Sequence, residues 1–210
     1  MTRFLIADDH SLVRKGLNAL LREEFPGARV VEVGDTAGLI DQAVKEKKWD
    51  LIISDISMPG RSILEVLEQL KTLLPNTPVL ILSVFPEDQY VIRALKAGAA
   101  GYLNKDSSPE DLIRAIRQLL QGKKYVSAEA AELLAGFIGK DPHRPPHEKL
   151  SAREFDVLKR IASGKSVSDI AADLSLSVNT ISTYRSRILE KMGMHHNAEL
   201  TTYAISNKLV

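Results

Sequence analysis

Phe4-Leu5-Ile6-Ala7-Asp8-Asp9 and Leu51-Ile52-Ile53-Ser54-Asp55 decide the fold. Each is a short apolar run that ends in acid. A run of this length is too short for a helix and too continuous for a strand with one wet face, so it reads as a strand buried on both sides. Working outward from Phe4–Ala7 and Leu51–Ser54, the same pattern returns at Arg29–Val33, Val79–Ser83 and Gly101–Leu103. Helical periodicities separate or follow these runs at Leu12–Glu24, Ala37–Lys45, Ile63–Leu74, Gln89–Ala97 and Pro109–Leu120. Five such βα units predict an α/β doubly wound, five-stranded parallel sheet over residues 1–125, covered by helices on both faces. Sheets of this kind place their site at the carboxyl ends of the strands.

Asp8 and Asp9 follow the first run and Asp55 follows the third. With strand order 2-1-3-4-5, those two strands are neighbours and all three carboxylates converge. Clustered carboxylates raise one another's pKa unless a cation neutralises them. Hard oxygen ligands with room for water favour Mg²⁺, and Mg²⁺ can neutralise a phosphoryl group during in-line transfer to a carboxylate. Lys105, just past the fifth run, supplies a second positive charge. The bland alternative is a set of solvated loop acids or helix caps, which suits any one of these residues better than it suits the joint pattern.

These residues resemble the receiver domain of response regulators. The matching pieces are Asp8-Asp9, Asp55-Ile56-Ser57-Met58-Pro59-Gly60, Leu82-Ser83 and Gly101-Tyr102-Leu103-Asn104-Lys105, and the likeness covers residues 3–122. The resemblance implies a flavodoxin/CheY-like fold with Asp55 as phosphoacceptor. It implies that Asp9 binds Mg²⁺ directly, Asp8 mostly through water, and that the Ser57 backbone carbonyl completes the protein ligands with Asp55. It makes Ser83 the switch hydroxyl, Tyr102 the aromatic that swings inward with it, and Lys105 the bridge between carboxylate and phosphoryl group. The chain departs from the pattern at Ile63, where the family usually has glycine. Glycine there permits a tight turn. Ile63 either starts the third helix early or adds an apolar surface beside the site.

Beyond residue 125 the pattern changes. Ser127 is placed to cap a helix over Ala128–Ile138, and the proline-rich stretch 139–149 reads as an exposed linker, so 126–149 is expected to join two domains. Residues 150–210 are purely helical. Ser151-Ala152-Arg153-Glu154 is a capping box, Ser166 and Ser177 can cap further helices, and Asn197 a fourth. Val167–Leu174, a short turn, and Val178–Met192 make a helix-turn-helix candidate, whose second helix would enter a DNA major groove. Val178, Ile181, Ile188, Leu189 and Met192 form its apolar side. Ser182, Thr183, Ser186 and Arg187 lie opposite, while Thr180, Arg185, Arg187 and Lys191 can reach phosphates.

Leu150-Ser151-Ala152-Arg153-Glu154, Ile161-Ala162-Ser163-Gly164-Lys165-Ser166, Ile170-Ala171, Thr180-Ile181 and Ile188-Leu189-Glu190-Lys191-Met192-Gly193 are together similar to the LuxR-type DNA-binding domain. That likeness adds Lys165 to the DNA-facing set. Many relatives carry lysine at Ser182, histidine at Tyr184 and threonine at Ala198, so the target sequence does not carry over. The last helix, with Leu200, Tyr203, Ala204 and Val210, is either a dimer face or local core. End to end, the chain resembles the NarL/FixJ family. The resemblance implies a DNA-binding regulator of a two-component phosphorelay. A histidine kinase would phosphorylate Asp55, and phosphorylation would control dimerisation and transcription at double-stranded promoter DNA.

Composition narrows the alternatives. The chain has 210 residues and no cysteine, which excludes disulfides and thiolate metal sites. No run of about 18 apolar residues is present and acids follow the first four apolar residues, so neither a membrane span nor a signal peptide is expected, and the cytoplasm is the expected location. Residues 1–125 carry 17 Lys+Arg against 17 Asp+Glu, and residues 150–210 carry 8 against 6. No strongly basic domain announces nucleic acid, and the DNA argument rests on local geometry. A phosphohydrolase with an aspartyl-phosphate intermediate would also use Mg²⁺ and clustered acids. Its acids usually alternate after the first strand, whereas here they are adjacent, and the chain is expected not to be an enzyme of that kind.

Overall fold

In the computed structural model the five apolar runs form strands β1 (Arg3–Ala7), β2 (Arg29–Val33), β3 (Leu51–Asp55), β4 (Val79–Ser83) and β5 (Gly101–Asn104). The structure describes residues 1–84, 87–138, 145–174 and 176–210, with only the backbone of residues 87–89, 133, 136–138 and 152. All strand pairs are parallel, in the order β2-β1-β3-β4-β5. Every residue of β3 and β4 is buried, as a sheet covered on both faces demands. Each buried Leu, Ile or Val there contributes about 1.5–3 kcal/mol relative to exposure. Edge strand β2 is only partly buried, and it carries two charged residues, Arg29 and Glu32.

Helices α1 (Ser11–Glu24), α2 (Thr36–Lys45), α3 (Ile63–Leu73), α4 (Glu87–Ala97) and α5 (Pro109–Leu120) complete the five units. Helix α5 shows why the sequence forms them. Ser108 Oγ accepts the Asp111 backbone N–H at 3.2 Å, Pro109 opens the first turn, and Leu112, Ile113, Ala115, Ile116 and Leu119 form the buried face. Ile63 is the first residue of α3 and is 1% exposed. It therefore starts the helix and fills the core, and offers no apolar surface. The tight turn falls at Gly60, with φ +99, where a Cβ would stand 2.6 Å from Thr36 Oγ1. Only glycine fits there without strain.

The described chain divides into two compact units, Met1–Phe137 and Ile138–Val210. Helix α6 (Ala128–Ile138) is capped by Ser127, whose Oγ accepts the Ala130 N–H at 3.0 Å, and it groups with the first unit up to Phe137. Residues 139–144 of the expected linker lie outside the described residues. A 3₁₀ turn at Pro146–Lys149 belongs to the second unit, where His147 Nδ1 and the Tyr203 hydroxyl are 2.8 Å apart.

The second unit is helical: α7 (Ala152–Ala162), α8 (Val167–Asp173), α9 (Val178–Met192) and α10 (Asn197–Ser206). Ser151, Ser166 and Ser177 cap the first three, each accepting a backbone N–H three residues on. Two expectations need correction, and one open alternative is narrowed. Asn197 does not cap α10 but is its first residue. The Glu199 carboxylate accepts the N–H groups of His195 at 2.6 Å and His196 at 3.3 Å, which moves the cap to His196. Val178 is 48% exposed, because the first residue of a helix has no preceding turn to shield it. On α10, Leu200 and Ala204 are buried core, whereas Val210 lies beyond the helix and is 49% exposed.

Candidate functional site

The acidic pocket sits at the carboxyl ends of β1 and β3, which pair directly: Ala7 lies opposite Ser54. Asp8 and Asp55 are buried, whereas Asp9 and Ser57 are exposed. Lys105, just past β5, reaches across to put its Nζ 2.7 Å from Asp8 Oδ2 and 3.1 Å from Asp55 Oδ2. Its backbone N–H donates to the Ser83 carbonyl at 2.8 Å, which ties the end of β5 to the end of β4. The ammonium thus holds two buried carboxylates that would otherwise repel each other. Burial pushes the Asp55 pKa up, Lys105 opposes this, and the Asp8 charge adds to the rise. Burial also disfavours the Lys105 charge, yet its hydrogen bond to Asp8 and the two nearby carboxylates outweigh that and raise its pKa.

His10 belongs to this cluster and was not among the candidates from sequence. Its Nδ1 lies 2.7 Å from Asp9 Oδ1 and 3.2 Å from Asp8 Oδ1, and its backbone N–H donates to Asp8 Oδ1 at 2.8 Å. Adjacency to two acids was the only available signal, and it does not fix a side-chain direction. Ligand atoms of Asp8, Asp9, His10 and Asp55 all lie within 4.8 Å of one another. Their hard carboxylate oxygens fit the acidic pocket at which receiver domains bind Mg²⁺.

Ser83 and Tyr102 are fully buried, each 0% exposed. They are near neighbours across the β4–β5 ladder, where Ile81 lies opposite Tyr102 and Ser83 opposite Asn104. Tyr102 therefore already has the inward position that the sequence reading assigned to the switched state.

In the second unit, α8 and α9 form the helix-turn-helix, with Ile170, Ala171, Ile181, Ile188 and Met192 buried. Ser182, Thr183, Ser186 and Arg187 are exposed together on α9. Thr183 Oγ1 and Ser186 Oγ donate back to the carbonyls of Asn179 and Ser182, at 2.9 and 3.1 Å, which leaves their lone pairs outward. Thr180 Oγ1 is 2.7 Å from Ser177 Oγ in the cap. Three of the cations expected to face DNA are engaged within the unit. Arg185 Nε donates to Asn197 Oδ1 at 2.6 Å, Lys165 Nζ contacts Asp173 Oδ2 at 2.5 Å, and Lys191 Nζ contacts Glu154 Oε2 at 2.7 Å.

No described helix is long and apolar enough to cross a membrane. Residues 4–132 match the response regulator receiver domain, and residues 148–204 match the bacterial regulatory proteins of the luxR family. The chain is 35% identical to response regulator GacA of Pseudomonas aeruginosa, covering 100% of this chain and 98% of that one. It is 34% identical to oxygen regulatory protein NreC of Staphylococcus epidermidis, covering 99% of each. Among solved structures it is similar to RcsB of Salmonella enterica serovar Typhimurium bound to promoter rprA with phosphomimetic BeF3⁻. There the TM-score is 0.67 at 27% identity, over 98% of this chain and 100% of that one. With a receiver domain matched over residues 4–132, a LuxR-type DNA-binding domain over 148–204 and a response regulator matched over the full length, the chain belongs to the NarL/FixJ family of response regulators, not to the phosphohydrolases.

Proposed function

We propose that Asp55 accepts a phosphoryl group from a sensor histidine kinase in the cytoplasm, and that this favours a homodimer whose two α9 helices read promoter DNA. The observation that carries this reading is the Lys105 ammonium spanning Asp8 and Asp55 at the mouth of the sheet. An Asp55 oxygen attacks phosphorus in line, and the bond to the donor's leaving group breaks. Asp8, Asp9, Asp55 and the Ser57 carbonyl would hold Mg²⁺, whose charge offsets that of the phosphoryl oxygens. Lys105 shifts from the unmodified carboxylate to the new phosphoryl group. Ser83 follows and repacks against Tyr102, which is already inward, at the face made by α4, β5 and α5. Phosphorylated hydroxyl side chains carry roughly −1.5 to −2 charge, and a comparable change here is large for a buried site.

For DNA, the placement favours Ser182, Thr183 and Ser186 at the base edges and Arg187 at phosphate. Thr180, Arg185, Lys165 and Lys191 are secondary, since their polar groups already have partners within the unit. The test is intact-mass spectrometry with a small-molecule phosphodonor and Mg²⁺. One added phosphoryl group is expected, lost in Asp55→Asn and on chelation. Equal labelling of the Asp55→Asn protein would overturn the assignment.

A further inference from the structure

At the opposite end of the receiver sheet from Asp55 lies a groove of about 800 Å³, within the size range of small-molecule sites. It forms where strands begin and helices end, between the loops that lead into β3 and β4 and the C-terminal ends of α3 and α5. Trp49, Leu74, Val79 and Leu119 give it an apolar floor. Five lysines line it: Lys47, Lys48, Lys71, Lys123 and Lys124. All five are exposed, and among the described residues none has a carboxylate within ion-pair distance. The one lining carboxylate, Asp50, accepts the Arg3 backbone N–H at 2.7 Å. The Arg3 guanidinium, which also lines the groove, is turned to Glu46 at 3.8 Å.

The first 125 residues are balanced at 17 cations and 17 acids, so this is a separation of charge, with buried acids at one end of the sheet and lysines at the other. Helix dipoles do not absorb it. The C-termini of α2, α3, α4 and α5 reach this end, each worth roughly −0.5 charge, which offsets about two of the lysine charges. The remainder is an attractive field for anions, concentrated by a concave, apolar-walled surface. One lysine is already laid in place. Gly98 has φ +112, and a Cβ there would stand 3.2 Å from Lys71 Cδ, so the lysine stem runs close over bare backbone. A side chain ordered in advance loses less rotamer freedom on binding.

We propose that this groove binds a nucleoside polyphosphate, with its phosphates against the lysines and its flat base over the Trp49–Leu74–Val79–Leu119 floor. Duplex DNA is the other polyanion to weigh. It is read by a projecting element that enters its groove, whereas these lysines surround a concavity of small-molecule size.

The test uses the full chain in EDTA, so that no metal-bound nucleotide reaches Asp55, titrated calorimetrically with ATP, inorganic tripolyphosphate and adenosine. ATP should bind once per chain, at least tenfold tighter than tripolyphosphate, with adenosine giving no saturable heat. Lys48→Ala/Lys124→Ala should weaken ATP at least tenfold with an unchanged thermal midpoint, while Asp55→Asn and Arg187→Ala bind like wild type. The proposal fails if millimolar ATP gives no saturable heat, or if the double variant binds as wild type does. It fails equally if Arg187→Ala abolishes binding, which would put the anion on α9, or if a short duplex displaces ATP from the Arg187→Ala protein. Tripolyphosphate binding as tightly as ATP would overturn the place given to the base.

Discussion

Lys191 Nζ lies 2.7 Å from Glu154 Oε2, a carboxylate that also accepts the Ser151 backbone N–H at 2.7 Å. The contact ties α9 to the first turn of α7. It gives a residue that sequence placed on the DNA surface a partner within the unit. Burial works against the Glu154 charge, but the Lys191 and Ser151 hydrogen bonds more than compensate and lower its pKa. Lys191→Ala should therefore destabilise the second unit by about 1 kcal/mol, a modest value because the lysine is half exposed. A carboxylate whose pKa is lowered on folding stabilises above its unfolded pKa, and that contribution is lost as pH falls through the folded value. The gap between wild type and Lys191→Ala should accordingly close in acid. Denaturant melts at several pH values measure it, and a deficit that does not shrink in acid would refute the assignment.

Asp55 has the opposite linkage. Its pKa is raised by burial, so the folded state binds the proton more tightly than the unfolded state does. Stability then falls as pH rises from the usual carboxylate range through the folded pKa. Asp55→Asn removes that penalty. In EDTA it should raise the thermal midpoint at neutral pH, and the gain should vanish as pH drops towards the ordinary aspartate value. Added Mg²⁺ should stabilise wild type more than the variant by mass action. A variant less stable than wild type at neutral pH would contradict the argument.

Ser83→Ala should separate chemistry from signalling. The hydroxyl is fully buried at the end of β4 and is not needed for attack by Asp55. The variant should incorporate one phosphoryl group yet show a severalfold smaller gain in DNA affinity on phosphorylation. Gel shifts with and without phosphodonor test this, and a gain equal to wild type would exclude the β4–β5 route.

Arg187, Thr183 and Ser186 make contrasting claims about one titration series. Arg187 is exposed on α9, and its loss should weaken binding to every duplex and lower the salt slope by about one unit. Thr183→Ala or Ser186→Ala should leave the slope alone and blur discrimination at one base pair. Lys191→Ala should lower the salt slope less than Arg187→Ala does and leave discrimination unchanged. Affinities for a selected and a scrambled site at several salt concentrations decide. Equal losses on both sites for Thr183→Ala would mean that α9 presents a different face.

Gly60→Ala should destabilise the receiver by about 1–3 kcal/mol, because an L side chain is strained at that backbone conformation and would collide with Thr36. Chemical denaturation reads the loss, and a stability equal to wild type would show that the loop relaxes freely.

The five strands, the convergence of Asp8, Asp9 and Asp55, and the helix-turn-helix were legible without coordinates. Short, continuous apolar runs such as Leu51-Ile52-Ile53, repeated five times between helical periodicities, fit a sheet buried on both faces. The serines before Glu154, Asp169 and Thr180 mark helix starts through short-range hydrogen bonds alone. These signals are local, so the chain carries them openly. Where the long, flexible side chains go is settled by packing in three dimensions. Lys191 turned to Glu154, Arg185 to Asn197, His10 to Asp9, and Tyr102 into the core. Five lysines from three separate stretches gathered at the far end of the sheet, although the same region is electrically neutral when read as a string. Each of these outcomes depends on partners distant in sequence or on which rotamer the packing leaves open, and neither is written in the spacing of residues along the chain.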